Sequence, residues 1–248
     1  MDRLLVATLN ILNLADRWPE RLPLLLADMA ALQPDLMGLQ EVVYPMHQDR
    51  LLGAAGEARY EAVRGWAGRP EYGNSLLVKA PLVATAVERL DLGLGRSAHR
   101  VRLGLPGGAA LVFAVTHLHH PPDAHADRVR QIEALLPWLD TSSPDDALIV
   151  VGDFNADPRE PAYACMLDAG FRSASVEANG AEPAVTWPSG LQAEAMDTDG
   201  EPDCLDYIWL RGAAVAESAR LVFDRPAPGD ASLYASDHLG IAATVRVG

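Results

Sequence analysis

The chain has 248 residues, 49% of them apolar and 22% charged, an ordinary globular composition long enough to bury a core without staples. Its two cysteines, Cys165 and Cys204, lie in apolar stretches, so they read as buried free thiols and indicate no oxidised framework. The net charge of −14 disfavours a uniformly basic surface of the kind that tracks a long polyanion, while leaving local patches open.

In chain order, LLVATL (4–9) predicts a buried strand. The opening segment superficially suggests a signal peptide, but Asp2, Thr8, Asn10 and Asn13 interrupt it and no clean cleavage site follows. No apolar run approaches the roughly 20 residues of a membrane span, and the expectation is a cytoplasmic protein. Asp16 and Pro19 open a helix whose apolar face is Leu22, Leu25, Leu26, Met29 and Leu32, and Pro34 stops it. LMGLQ (36–40) and NSLLVK (74–79) are strands. HRVRLGL (99–105) alternates like a half-exposed strand, turns at Pro106, Gly107 and Gly108, and pairs back through ALVFAVTHL (110–118).

Asp123 caps a second predicted helix, with Val129, Ile132, Leu135, Leu136 and Leu139 on one face and a late kink or end at Pro137. ALIVVGDFN (147–155) is an apolar strand ending in a polar cluster, and a short helix runs from Pro161 to Asp168, closed by Gly170. The stretch 173–203 reads as a long irregular loop, and LDYIWL (205–210) and LGIAATVRV (239–247) as strands. No repeat or linker divides the chain, so one domain over 1–248 is expected. Strands joined by both hairpins and helices suggest two packed sheets with helices outside. A purely parallel sheet fits less well, because 99–118 looks antiparallel.

Several apolar strands finish in a carboxylate, amide or imidazole. Asn10 follows the first strand, Glu41 the second, His117 ends the fifth, Asp153 and Asn155 follow Gly152, Asp206 lies near a strand start, and Asp237 and His238 open the last strand. Such oxygen-rich sets suit Mg2+ or Mn2+, and the lack of cysteine or paired-histidine spacing argues against structural zinc. Histidines among carboxylates supply proton transfer and hold anionic oxygens. Each residue alone has a plainer reading: strand-end cap for Asn10, solvated acid for Glu41, surface or core polar group for His117, local pairing for Asp206, a turn for Ser236 to His238.

Taken in order, TLN (8–10), LQEV (39–42), YGNSLLV (72–78), THL (116–118), GDFN (152–155), LDYIWL (205–210) and SDH (236–238) resemble the endonuclease/exonuclease/phosphatase superfamily over nearly the whole chain. The resemblance implies an α/β fold, a four-layer α-β-β-α sandwich with two mixed, largely antiparallel sheets and a site at one edge. It implies that Glu41, helped by Asn10 and with Asp237 near, ligates Mg2+. Asp153 would orient or deprotonate the attacking water, Asn155 would hold a phosphoryl oxygen, and His238, oriented by Asp206, would bind or protonate around the phosphate. His117 would stabilise the transition-state charge or assist the leaving group, steadied by Glu71 or Tyr72.

The activity so implied is metal-dependent hydrolysis of a phosphodiester or phosphomonoester, with a small or single-site substrate favoured. A nuclease acting on DNA or RNA is the alternative, and a catalytically dead binding module a third reading. Where abasic-site endonucleases carry an acid, this chain has Leu12, and it lacks basic inserts for gripping a duplex. Loops 43–73, 91–98, 119–128 and 173–203 should rim the site, with Tyr44, Trp66, Arg69, Arg96 and Trp187 as candidate contacts, although Trp187 reads better as a packing anchor. His119, His120 and His125 either line the substrate mouth or, the preferred reading, are plain surface residues. Arg128 and Gln131 stay open between a solvated helix face and a role shared with bacterial members of the superfamily. A monomer is the default.

Overall fold

The computed structural model describes residues 1–65, 71–140, 146–194, 196 and 201–248. The chain opens with β1 (Asp2–Asn10), crosses over through α1 (Trp18–Leu32) and returns as β2 (Leu36–Val43), parallel to β1. After α2 (Gln48–Gly53) come β3 (Tyr60–Gly65) and β4 (Tyr72–Lys79). β5 (Ala84–Gly93) and β6 (Arg96–Gly104) form a hairpin, and β7 (Ala110–His117) pairs with β6. A second crossover, α3 (His125–Leu139), leads to β8 (Ala147–Asp153), parallel to β7. The remaining elements are α4 (Pro161–Asp168), β9 (Arg172–Ser173), α5 (Ala174–Asn179), β10 (Asp206–Arg211), β11 (Ala214–Val222) and β12 (Gly240–Val247).

The strands form two six-stranded sheets, ordered β11-β12-β1-β2-β4-β3 and β5-β6-β7-β8-β10-β9. Only β1–β2 and β7–β8 are parallel; the other pairs run antiparallel. Each sheet therefore contains one strand–helix–strand unit flanked by antiparallel neighbours, and both units end at the same edge of the sandwich. This is the expected four-layer arrangement. One apolar cluster lies between the sheets, including Val6, Leu76, Phe113, Ile149 and Val151. A second, with Ile132, Leu135, Tyr163 and Trp209, seats α3 and α4, and a third seats α1 through Leu25 and Met29. Each such fully buried side chain stabilises the fold by about 1.5–3 kcal/mol.

Several local expectations change. α3 starts at His125 rather than at a cap on Asp123; Ala124 precedes it and makes no side-chain cap. Pro137 sits within the last turn of α3 and the helix runs on to Leu139, at the cost of the one intrahelical hydrogen bond a proline cannot donate. The stretch 173–203 is not wholly irregular, since α5 occupies its start, with Ser173 Oγ capping the Val176 amide. β3, β5 and β11 were not legible as strands; they lie at or near sheet edges, where one exposed face blurs alternation. Among the described residues no helix is long and apolar enough to cross a membrane.

Candidate active site

Strand register builds the site. His117 pairs with Asp153 across β7–β8, and Asp153 pairs with Asp206 across β8–β10, so three polar side chains from distant segments form one row. Gly152 makes this row possible. A Cβ there would lie 2.0 Å from the Thr116 carbonyl oxygen, and its φ of +150° suits glycine. In the other sheet, Asn10 pairs with Gln40 at the ends of β1 and β2. A register shift between Leu39 and Val42 and a left-handed Glu41 (φ 63°) swing the Glu41 carboxylate toward the cavity.

Asn10 ties the sheets together: its Nδ2 donates to Asp153 Oδ2 at 3.0 Å and lies 3.4 Å from Glu41 Oε1. The other Glu41 oxygen accepts from Asn13 Nδ2 at 2.7 Å. Asp153 Oδ1 accepts from the Asn155 amide at 2.9 Å, and Asn155, also left-handed (φ 48°), donates Nδ2 to the Leu118 carbonyl at 3.1 Å. His238 Nδ1 lies 2.9 Å from Asp206 Oδ2, and its Nε2 lies 3.7 Å from Asp153 Oδ2. His117 Nε2 is 3.3 Å from the same Asp153 oxygen. Asp237, in the loop just ahead of β12 rather than opening it, accepts from Trp187 Nε1 at 3.3 Å. All eight residues expected at the site thus converge on one cavity or its floor.

Burial and mutual charge set the protonation states. Asp153 is pushed up to about 6, first by burial and then by the Asp206 charge, against the opposing pull of His238. Burial alone would lower His238, but Asp206, Asp153 and Asp237 together hold it well above the usual histidine range. His117 is held well below that range by burial and by the charges of Arg96, His238 and His120. The site therefore pairs a charged histidine with a neutral one.

The donor set suits a hard divalent cation. Asp153, Asp206, Asp237 and Glu41 share the region with one charged imidazole, and burial raises Asp237 as well, a negative excess that a cation offsets. Asp206 Oδ1 is buried without a protein partner. Asp153, Asp206 and His238 bring ligand atoms within 4.8 Å of one another. The Asp206–His238 hydrogen bond and the His238 charge already occupy that trio, whereas Glu41 and Asp237 line the cavity.

The cavity, about 800 Å³, corrects several readings. His119, His120 and His125 line it, His120 and His125 being exposed at its mouth, as does Trp187, whose indole holds Asp237. Arg96 lines it as expected. Tyr44 does not: it is 5% exposed, its hydroxyl bonded to the Gly65 and Asn74 carbonyls. Tyr72 rather than Glu71 faces the site, against Glu41 and Asn13, where burial and the Glu41 charge raise its phenol. Trp66 and Arg69 lie outside the described residues.

Arg128 and Gln131 are no solvated face; both are buried. Arg128 pairs with Glu160 and donates to the carbonyls of His119, Pro121 and Pro122. Gln131 accepts from the His119 amide at 2.9 Å. Cys204 is buried as expected, with burial raising its thiol, whereas Cys165 is half-buried. Asn13 was missed as a site residue; its spacing three residues after Asn10 in NILN was the available signal.

Residues 7–238 match the family model described as the Endonuclease/Exonuclease/phosphatase family. The chain is 28% identical to Nocturnin of Xenopus laevis over 254 residues, covering 91% of this chain but 64% of that protein, so it spans less than two thirds of that relative. Its fold superposes on the human Nocturnin catalytic domain with bound sulfate anion, at TM-score 0.78 and 23% identity over 99% of this chain and 95% of the other. D. rerio TDP2 complexed with single strand DNA product gives TM-score 0.80 and 18% identity, with both chains covered fully.

Proposed function

Because the chain belongs to the endonuclease/exonuclease/phosphatase family, we propose that it is a divalent-metal-dependent phosphoesterase acting on a small or single-site phosphodiester or phosphomonoester. The observation that carries this is the bridge between the sheets: Asn10 Nδ2 reaching Asp153 and Glu41, beside the Asp206–His238 pair.

Glu41, Asn10 and Asp237 would hold Mg2+ or Mn2+, which when bound supplies charge neutralisation to the phosphoryl oxygens. Asp153, raised toward neutrality and fixed by Asn10 and Asn155, orients the attacking water and accepts its proton. His238, kept cationic by Asp206, donates to an anionic phosphoryl oxygen as charge develops there. Asn155 keeps one Nδ2 hydrogen for the phosphate, the other being held by Leu118. Neutral His117 donates from Nε2 without adding a second cation.

A nuclease is the second reading, prompted by the single strand DNA product held by the similar TDP2 structure. The net charge of −14 weighs against it for long polymers.

The test is Mg2+-dependent release of p-nitrophenol from bis(p-nitrophenyl) phosphate. Wild type should turn over and lose activity on chelation, and Asp153→Ala should abolish turnover while keeping the wild-type circular dichroism spectrum. Wild-type rates in Asp153→Ala would remove that residue from the mechanism, and no turnover by wild type on any phosphoester would end the reading. Steep loss of affinity for an oligonucleotide with salt would favour the nuclease.

A further inference from the structure

The cavity lining carries both cations and acids. The lining brings Arg96, His119 and His120 together with Asp157, Glu160, Glu201 and Asp203, and with Arg159. Arg159 is neutralised there, 2.8 Å from Asp157 and paired also with Asp203. Arg96 is not: among the described residues it has no carboxylate partner, and its guanidinium donates to His120 Nδ1 at 3.1 Å. An arginine facing a cavity without an acid, in a chain with 34 acidic and 20 basic residues, is an electrostatic anomaly. Its charge is felt at His117, His119 and Tyr72, so it stands beside the reacting centre.

The surroundings of Arg96 are also built rigidly. Gln131 accepts from the His119 amide and reaches the Leu92 and Gly93 carbonyls at 3.4 Å each, joining the histidine loop to the hairpin that carries Arg96. Arg128 anchors the same loop through three carbonyls. The two histidine rings stack edge to face, with centroids 5.6 Å apart. His119 Nδ1 is buried without a partner.

We infer that Arg96, with His120 and His119, forms a subsite for a second phosphoryl group, so that the preferred substrate is a compact phosphoester bearing another phosphate on the His117 side. This rests on the phosphoesterase reading and adds a substrate class to it. A guanidinium held by one neighbour keeps its remaining N–H groups for two phosphate oxygens. The acids elsewhere in the lining and the net charge of −14 disfavour a long polyanion, so a short substrate with its second phosphate at Arg96 fits better than a long strand.

Thymidine 5′-(p-nitrophenyl phosphate), with and without a 3′-phosphate, separates these possibilities with Mg2+ present. Wild type should show a KM about ten- to a hundredfold lower for the 3′-phosphorylated ester, the range set by one charge-assisted contact. Arg96→Gln should bring the ratio of the two KM values to about one. Equal KM values in wild type, or an unchanged ratio in Arg96→Gln, overturns the subsite. Calorimetric titration of thymidine 3′,5′-bisphosphate against thymidine 5′-monophosphate reads the same preference without turnover. Failure to cleave either ester therefore sinks the phosphoesterase reading, while the titration still decides the subsite.

Discussion

His238 Nδ1 sits 2.9 Å from Asp206 Oδ2, although 32 residues separate them, and Asp206 is fully buried. This contact fixes the imidazole with Nε2 toward Asp153 and keeps it charged. Asp206→Asn retains the shape and removes the charge. It should lower kcat about 10²- to 10⁴-fold, the span of positioned acid–base groups, with a smaller change in KM. Histidine NMR titration should show His238 losing its proton at lower pH than in wild type. An unshifted titration would assign the elevated basicity to Asp153 and Asp237 alone.

Asn13 grips one oxygen of Glu41 at 2.7 Å. Groups that orient a metal-binding carboxylate typically change metal affinity about 10–100-fold when removed. Asn13→Ala should raise the Mg2+ concentration for half-maximal activity by that order, with most of kcat restored at saturating Mg2+. If half-activation stays where it was, the left-handed backbone at Glu41 suffices to aim it.

Arg128 is fully buried, paired with a Glu160 side chain that is 10% exposed. Arg128→Met leaves that carboxylate with His125 Nδ1, at 2.7 Å, as its neighbour among the described residues. Breaking one side of a buried pair costs about 3–5 kcal/mol. Urea unfolding should report a loss near the lower end, since His125 remains. Arg128→Met with Glu160→Gln should recover part of it; no recovery would assign the loss to the carbonyl contacts alone.

His99 is buried between the sheets, donating Nε2–H to the Val63 carbonyl at 3.1 Å, and burial lowers it to about 3 from the ordinary 6.5. Between those values the unfolded chain binds a proton that the fold refuses. Stability contributed by neutral His99 is full above pH 6.5 and is lost as pH falls toward 3. The slope is about 1.4 kcal/mol per pH unit. Urea midpoints of wild type and His99→Asn at pH 7 and pH 4.5 should therefore converge on acidification. Parallel curves would mean that His99 is protonated in the fold.

Much of the site was legible because metal and phosphate chemistry restricts residue type and because strand ends announce themselves. VGDFN is the clearest case: an apolar run ends in Asp153 and Asn155, and both line the cavity. Arg128 and Gln131 were not legible. Their helical positions look solvent-facing until the 119–124 loop folds over them and supplies carbonyl partners. Tyr44 erred the other way, a loop aromatic that turned inward to satisfy two carbonyls.

The amino-acid order by itself determined the apolar periods, the two strand–helix–strand units and the inventory of acids, amides and imidazoles, since these follow from local spacing and side-chain chemistry. Only the tertiary structure decided that His117, Asp153 and Asp206 share a row, that Asn10 joins the two sheets there, and that Arg96 lines the cavity with no acid paired to it among the described residues. Those facts depend on strand order and sheet packing, which are set by contacts between residues far apart in the chain, and no local window of sequence carries that register.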